Sequence, residues 1–400
     1  MPPGQPTAAN VGLVSSHEKL PCSGYSDERA DICGPASLAL SSECWPPACG
    51  FDMNCDQCDM LKIQRPNRRD FFLVPPRPRF YIESDGAAIR RFPGKSYDFA
   101  SAGPIPAGTV APTNIVLSTG NFNYDFRAAG RVLIGFTINE CLQLEGVYSG
   151  VSESRNAAAV RDGNPNGFGS LTGDLFSPFG NFGANPIGNL DYNNFVWIRY
   201  VSSLQSVELN VRRNLPMAPD RLSTSILFGV RYFGLPEEFD YVAESDVAFT
   251  PAPAAGAVSN AIHVSTDNQM IGPQIGARFE VYIENRWWVN FEIKAAVMNN
   301  RAVQSTLYAN TVNGTEVETF GSAREDHTAF AGELALTFLY RWSPNITTRI
   351  GYQALWLEGV ALAPDNLSAD LDILRLGPAQ LNHSCSTLYH GPFAGITIGW

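Results

Sequence analysis

No apolar stretch in the 400-residue chain approaches the roughly 18 residues that a membrane-spanning helix needs, and the mean hydropathy is -0.09. Helical insertion is excluded, whereas a membrane barrel is not, because strands that alternate apolar and polar residues average to neutral hydropathy. Charge is also scarce, at 17% of residues, beside 44% apolar residues, which argues against wholesale disorder. Basic residues are the rarer sign, 28 against 39 acids for a net charge of -11, and that balance argues against a nucleic-acid groove. Catalytic signatures are missing: there is no G-x-S-x-G elbow, H-E-x-x-H helix or phosphate-binding loop, and Gly167 to Gly173 has the wrong spacing for a dinucleotide fingerprint. The first 20 residues show neither the basic segment nor the apolar core of a secretory signal, so for an exported protein the export signal is not visible.

What the chain does have is period-2 alternation from about residue 129 onward. Phe330, Leu334, Leu336, Phe338, Tyr340 and Trp342 face one way, and Glu333, Thr337 and Arg341 the other. The same two-faced pattern sets Val289, Phe291 and Ile293 against Asn290, Glu292 and Lys294, and Val207, Leu209 and Val211 against Glu208, Asn210 and Arg212. Strands are expected over roughly 78–91, 129–138, 140–149, 195–213, 222–234, 271–283, 287–299, 328–342, 346–358 and 390–400. The turns at 139–140, 284–286 and 343–345 are short, whereas 151–191, 236–270, 301–327 and 359–388 read as long polar loops. Short and long connections therefore alternate, as in an outer-membrane barrel with tight periplasmic turns and extended outer loops. Trp287, Trp288, Trp342 and Trp400, four of the seven tryptophans, fall beside the short turns or the chain end, where indoles would form an aromatic girdle at the membrane interface.

These residues resemble a family of bacterial outer-membrane proteins, the putative beta-barrel porin 7 family. The resemblance covers about residues 120–400 and rests on Ser206-Val-Glu-Leu-Asn-Val-Arg-Arg-Asn214, on Gly351-Tyr-Gln-Ala-Leu-Trp-Leu-Glu-Gly-Val-Ala-Leu-Ala-Pro-Asp365, its most specific piece, and on Tyr389-His-Gly391 before the final strand. It implies location and fold more firmly than transport.

Six of the eight cysteines, Cys22, Cys33, Cys44, Cys49, Cys55 and Cys58, crowd the N-terminal segment. Their density points to a disulfide-tied region of undetermined pairing, with half a zinc site or a redox pair at Cys55 and Cys58 as the lesser readings. The chain thus divides into an irregular Cys-rich segment, 1–70, and a barrel, 71–400. His383, Ser384 and His390 sit close in sequence near the last outer loop, but no acidic or amide partner can be assigned to make them a catalytic set.

The inward face is the one chemically organised surface. With apolar faces against lipid, the lumen-lining residues are Arg131, Glu145, Glu208, Arg212, Arg231, Arg278, Glu280, Glu292, Lys294, Glu333 and Arg341. They form either a polar eyelet for small solutes or a charge network that fills the lumen and fixes register. The expected fold is all-β: an antiparallel up-and-down transmembrane β-barrel of about 10 strands, or alternatively 12, in the bacterial outer membrane. The expected function is a narrow porin-like pore for small hydrophilic solutes, with a non-conducting surface-interaction barrel as the alternative and a soluble β-sandwich binding module as the weaker third reading. No catalytic, cofactor or metal site is expected. The expected partners are outer-membrane lipid, the barrel insertion machinery, which would read the terminal Trp400, and small hydrophilic solutes, with no nucleic acid.

Overall fold

The computed structural model describes residues 78–92, 94–104, 114–139, 141–163, 173–215, 221–249, 253–376 and 381–400. The chain divides into two units, 1–61 and 62–400, and the N-terminal cysteines lie outside the described residues. In the second unit, ten antiparallel strands close into a ring. In chain order they are β1 (Phe80–Phe92), β4 (Arg127–Asn139), β5 (Leu142–Arg161), β7 (Phe195–Leu215), β8 (Leu222–Phe249), β9 (Pro253–Tyr282), β10 (Trp287–Val312), β11 (Thr315–Arg341), β12 (Ile346–Val360) and β13 (Cys385–Gly399). Each pairs with the next, and β1 closes the ring by pairing with both β4, as Ile82 with Ile134, and β13, as Ile82 with Ile398. Three further short strands, β2 (Asp98–Ala102), β3 (Ile115–Ser118) and β6 (Leu175–Phe176), form a small separate sheet in the β1–β4 and β5–β7 connections. The β12–β13 connection carries a single helical turn, α1 (Leu371–Leu376).

The lower half of the ring follows the alternation. Outward residues such as Ile134 and Phe136 on β4, Phe228 and Val230 on β8, and Phe330, Leu334, Leu336 and Phe338 on β11 are large, apolar and exposed. Their contiguity exceeds what a solvated sheet carries, and on β11 the run from Phe330 to Trp342 spans about 30 Å at the usual strand rise and tilt, the height of a bilayer core.

Strand length departs from expectation at the other end. The segments 236–270 and 301–327, read as loops, are strands: β8 and β9 run 28 and 30 residues, and β10 continues to β11 through the two-residue turn Asn313-Gly314. Both turn residues have positive φ, 49° and 81°, the backbone that a tight hairpin requires and that Asn and Gly tolerate. The reason for the misreading is solvent. Above the membrane the outward residues of β8 become Glu238, Asp240 and Glu244, so the apolar half of the alternation disappears while the inward half, Phe239, Tyr241 and Ala243, persists. Likewise β5 continues to Arg161 and β13 starts at Cys385.

Strands β5 and β7 to β11 thus rise well above β1, β4, β12 and β13. Among the described residues, β11 has a strand partner on one side only from Thr315 to Ala329, since its pairing with β12 begins at Phe330.

The tryptophans divide. Trp287, Trp342 and Trp400 are 48%, 62% and 60% exposed on the outward side, whereas Trp288 is 8% exposed and packs inside against Tyr282 and Leu339. This corrects the fourfold girdle: adjacent residues on a strand point to opposite faces, so Trp287 and Trp288 cannot both meet lipid.

Candidate functional site

The interior of the ring is filled in layers. Above the Tyr282, Trp288 and Leu339 cluster beside the short turns lies an ionic layer. Arg212 on β7 grips Glu145 on β5 through two bonds of 2.7 and 2.9 Å and reaches Glu292 on β10 at 3.3 Å. Arg278 on β9 also holds Glu292, at 2.7 Å, and the Tyr81 hydroxyl donates to Glu145 at 2.8 Å. Beside them Glu208 on β7 accepts from Arg231 on β8 and Lys294 on β10, both at 3.2 Å, and from the amides of Gln274 and Asn210. Glu333 on β11 takes the remaining donors of this group, Arg231 at 2.6 Å and Lys294 at 3.2 Å.

These pairs cross the interior. Strands β8 and β11 are three steps apart, about 14 Å of wall, so a 2.6 Å contact between Arg231 and Glu333 has to run through the barrel. The register puts these charges at one depth because each sits on the inward parity of its strand, as Lys294 opposite Glu333 and Glu208 opposite Arg231.

Of the eleven residues expected on this face, Arg131, Glu145, Glu208, Arg212, Arg231, Arg278, Glu292, Lys294 and Glu333 come together in this network. Glu280 and Arg341 lie nearer the short turns. Glu280 accepts from Tyr282, and Arg341 lies over the Trp288 ring at 5.3 Å. The sequence reading missed three members: Glu83 and Asp85 on β1, bound by Arg131 and by Arg349 on β12. Between Ile82 and Phe92 the outward positions of β1 hold Ser84, Gly86 and Ala88, so apolar alternation marked the strand only weakly around these acids.

Above the ions lies an apolar layer of Phe233, Leu235, Met270, Met298 and Leu357. Over it the β12–β13 connection enters the barrel. Asn268 on β9 treats this segment as a strand partner, donating to the Ala361 carbonyl and accepting from the Ala361 N–H, each at 2.8 Å. Glu237 on β8 accepts from the Ala363 N–H at 3.0 Å and from Ser202 at 3.2 Å, and pairs with Arg91 on β1 at 2.7 Å. Both charges are buried, and Arg91 is further bonded to Tyr200 and Thr387. Sequence reasoning placed Glu237 in a loop and so could not assign it inward.

The top layer is aromatic: Phe99 and Phe179 from the inserted connections meet Phe239 and Tyr241 on β8 at 5.0 and 5.7 Å. Asp191 ties one of these connections together by accepting from the Ser177 N–H, the Ser177 hydroxyl and the Ile187 N–H. Burial raises the pKa of that carboxyl, and the three bonds oppose the rise.

Among the described residues, two cavities lie in the lower half. One of about 60 Å³ lies between the ionic and apolar layers, lined by Arg231, Glu333, Phe233 and Tyr389. The other, about 140 Å³, opens beside the short turns, lined by Arg341, Trp288, Tyr282 and Arg278, and the ion pairs around Arg212 and Glu83 stand between them. On the outer wall, Asp240 bridges Arg199 at 2.7 Å and His263 at 2.8 Å. The bond to Asp240 raises the His263 pKa, and Asp240 lies below its ordinary value because its two cationic neighbours outweigh its partial burial.

His383, Ser384 and His390 do not converge. His383 stacks on His327 and faces Glu325, Ser384 donates to Asn382, and His390 meets the Tyr352 hydroxyl on the outward face.

The family model for "Putative beta barrel porin-7" matches residues 97–387. No curated protein sequence matches. Among solved structures the chain is similar to the outer membrane protease OmpT of Escherichia coli, with 8% identity, a TM-score of 0.40, and 80% of this chain and 96% of that one covered. It is also similar to a FadL homologue of Pseudomonas aeruginosa, with 8% identity, a TM-score of 0.22 and coverage of 80% and 89%. A third is the toluene transporter TodX of P. putida, with 7% identity, a TM-score of 0.26 and coverage of 82% and 91%. The ring of ten strands, rather than these similarities, defines the fold.

Proposed function

The chain belongs to the putative beta barrel porin-7 family, and from that premise we propose that it is a bacterial outer-membrane barrel with a lumen closed at rest, holding a tall wall of hairpins outside the cell. The short turns then face the periplasm and the Asn313-Gly314 hairpin the exterior, the usual polarity of such barrels. One observation carries the closed lumen: the ion pairs that cross the ring, above all Arg231 with Glu333 and Arg212 with Glu292, fill the section where a pore would be narrowest. Ten strands enclose an interior only slightly wider than the eight-stranded barrels that side chains fill completely. The surface that remains for work is external, so the reading is a surface-presenting envelope protein in contact with lipid, without a catalytic step.

A second reading, the narrow pore for small hydrophilic solutes, draws support from the cavities of about 60 and 140 Å³ on either side of the ionic layer. Recordings in planar lipid bilayers separate the two. The closed barrel gives a flat baseline with rare small openings, the narrow pore gives steady picosiemens-scale steps that respond to charge, and nanosiemens-scale channels would overturn both.

A further inference from the structure

Among the described residues eight cations point into the barrel, and seven of them, Arg91, Arg131, Arg212, Arg231, Arg278, Lys294 and Arg349, lie within ion-pair distance of a carboxylate. Arg341 is the exception among the described residues. Its guanidinium rests on the Trp288 ring at 5.3 Å, and its Nη2 is buried without a hydrogen-bond partner. Buried donors are ordinarily satisfied, so an orphaned nitrogen on a cation beside a cavity marks a place for an acceptor. The cavity beside it, about 140 Å³, has room for about five waters, or for a ligand about the size of a benzene ring. Asn290 on the neighbouring strand lines the same cavity, and its Oδ1 is a second buried atom without a partner.

We propose that this mouth, at the short-turn end of the barrel, binds a small organic monocarboxylate with a flat apolar body, held by the Arg341 guanidinium and the Trp288 face. A single guanidinium fork matches one carboxylate. The cavity also carries Glu83 and Glu280, which oppose a dianion such as phosphate, and its other two arginines, Arg212 and Arg278, are already engaged by Glu145 and Glu292. The apolar wall is prebuilt, because Trp288, Tyr282 and Leu339 pack together and line the cavity, against which a ring or short chain can lie. Asn290 Oδ1 then accepts from a hydroxyl on the ligand or from a water that accompanies it. The site lies on the short-turn side of the ionic layer, whose Glu83, Arg212 and Arg278 line its inner wall, and it needs no opening of that layer, so it is compatible with either state of the lumen.

The test is equilibrium dialysis of radiolabelled benzoate against the full-length chain folded in detergent micelles, with empty micelles as the partition control. Wild type should show saturable binding with one site per chain. Arg341→Gln should weaken it at least tenfold, and Arg341→Lys, which keeps the charge but loses the fork, should fall between. The heat-modifiable gel shift of each variant checks that the barrel is folded. Absence of saturable binding to wild type, an Arg341→Gln variant that folds and binds like wild type, or inorganic phosphate competing as well as benzoate would each overturn the proposal. Conductance is recorded without benzoate, so failure here is distinguishable from failure of the closed-lumen reading.

Discussion

Arg231 of β8 and Glu333 of β11 meet at 2.6 Å inside the ring although β9 and β10 stand between their strands. The pair therefore sets both the cross-section of the lumen and the relative height of two distant strands. Changing Arg231 to Ala leaves Glu208 and Glu333 sharing Lys294 alone, and breaking a buried pair in this way costs about 3 to 5 kcal/mol. Denaturant unfolding in micelles should show a loss of that order. Bilayer recordings of the Arg231→Ala, Arg278→Ala double variant should show new cation-preferring openings, because bulk and positive charge leave the same section. Unchanged stability together with unchanged conductance would remove both residues from the network.

The apolar belt is tested by Leu336→Arg. Leu336 points outward midway along the lipid-facing part of β11. An arginine there should cost about 2 to 4 kcal/mol and reduce the fraction of chain recovered in the outer membrane. Normal folding of the variant in water without detergent would contradict the membrane barrel.

Polarity follows from the same ring. An epitope inserted between Asn313 and Gly314 should be labelled on intact cells, and one at Asn285, in the short turn before β10, should not. Equal labelling at both positions would refute the assigned direction.

How much of this was legible in the sequence depends on what each residue faces. Strand starts and ends beside the short turns lie within a few residues of expectation, as for β7 and β12, because lipid demands an unbroken apolar face there. Water makes no such demand, so β8 to β11 lost their signal as they left the membrane, and Glu237 and Asn268 were lost with them. Glu83 and Arg349 were missed for another reason: they lie in the belt, but the apolar outward face of each strand is interrupted next to them, by Ser84 and Gly86 on β1 and by Thr348 between Ile346 and Ile350 on β12, which blurs the alternation there. Contacts between strands three apart, as in Arg212 with Glu292, depend on ring closure and register and have no signature in a linear pattern.

The outer wall has its own pH dependence. His263 is raised above its ordinary 6.5 by its bond to Asp240, and Asp240 is lowered from 3.8. A raised histidine contributes stability that is complete below its unfolded pKa and lost as pH rises through the folded value. A lowered carboxylate contributes stability present above its unfolded pKa and lost as pH falls through the folded one. The three groups Arg199, Asp240 and His263 should thus hold together best between the ordinary carboxylate and histidine values and loosen above neutrality. Being partly exposed, they should alter overall stability little. Titration of the His263 ring by NMR should give a pKa above 6.5 that returns toward it in Asp240→Asn. A wild-type value at or below 6.5 would count against the bridge.

The last prediction concerns the connection that seals the upper barrel. Glu237 is the junction of three elements: it neutralises Arg91 from β1, accepts from Ser202 on β7 and receives the Ala363 N–H of the β12–β13 connection. Asn268 holds the same segment through two bonds to Ala361 but carries no charge. The two residues therefore separate anchoring from charge balance. Glu237→Gln keeps the size and one acceptor but leaves Arg91 buried without a carboxylate, so it should cost about 3 to 5 kcal/mol. Asn268→Ala frees the Ala361 N–H and carbonyl inside the barrel at a smaller cost, about 1 to 3 kcal/mol for each group left unsatisfied. Both should raise amide hydrogen exchange across residues 360–366, and the double variant should raise it further, because the segment then has neither anchor. If the segment is part of the seal, bilayer recordings of the double variant should show more frequent openings than wild type, still small because the ionic layer below is intact. Faster exchange without any change in conductance would place the seal wholly in the ionic layer, and unchanged exchange would mean that the inserted connection is held by its remaining bonds, from the Tyr97 hydroxyl to Asp365 and from the Asn300 amide to the Gly359 carbonyl.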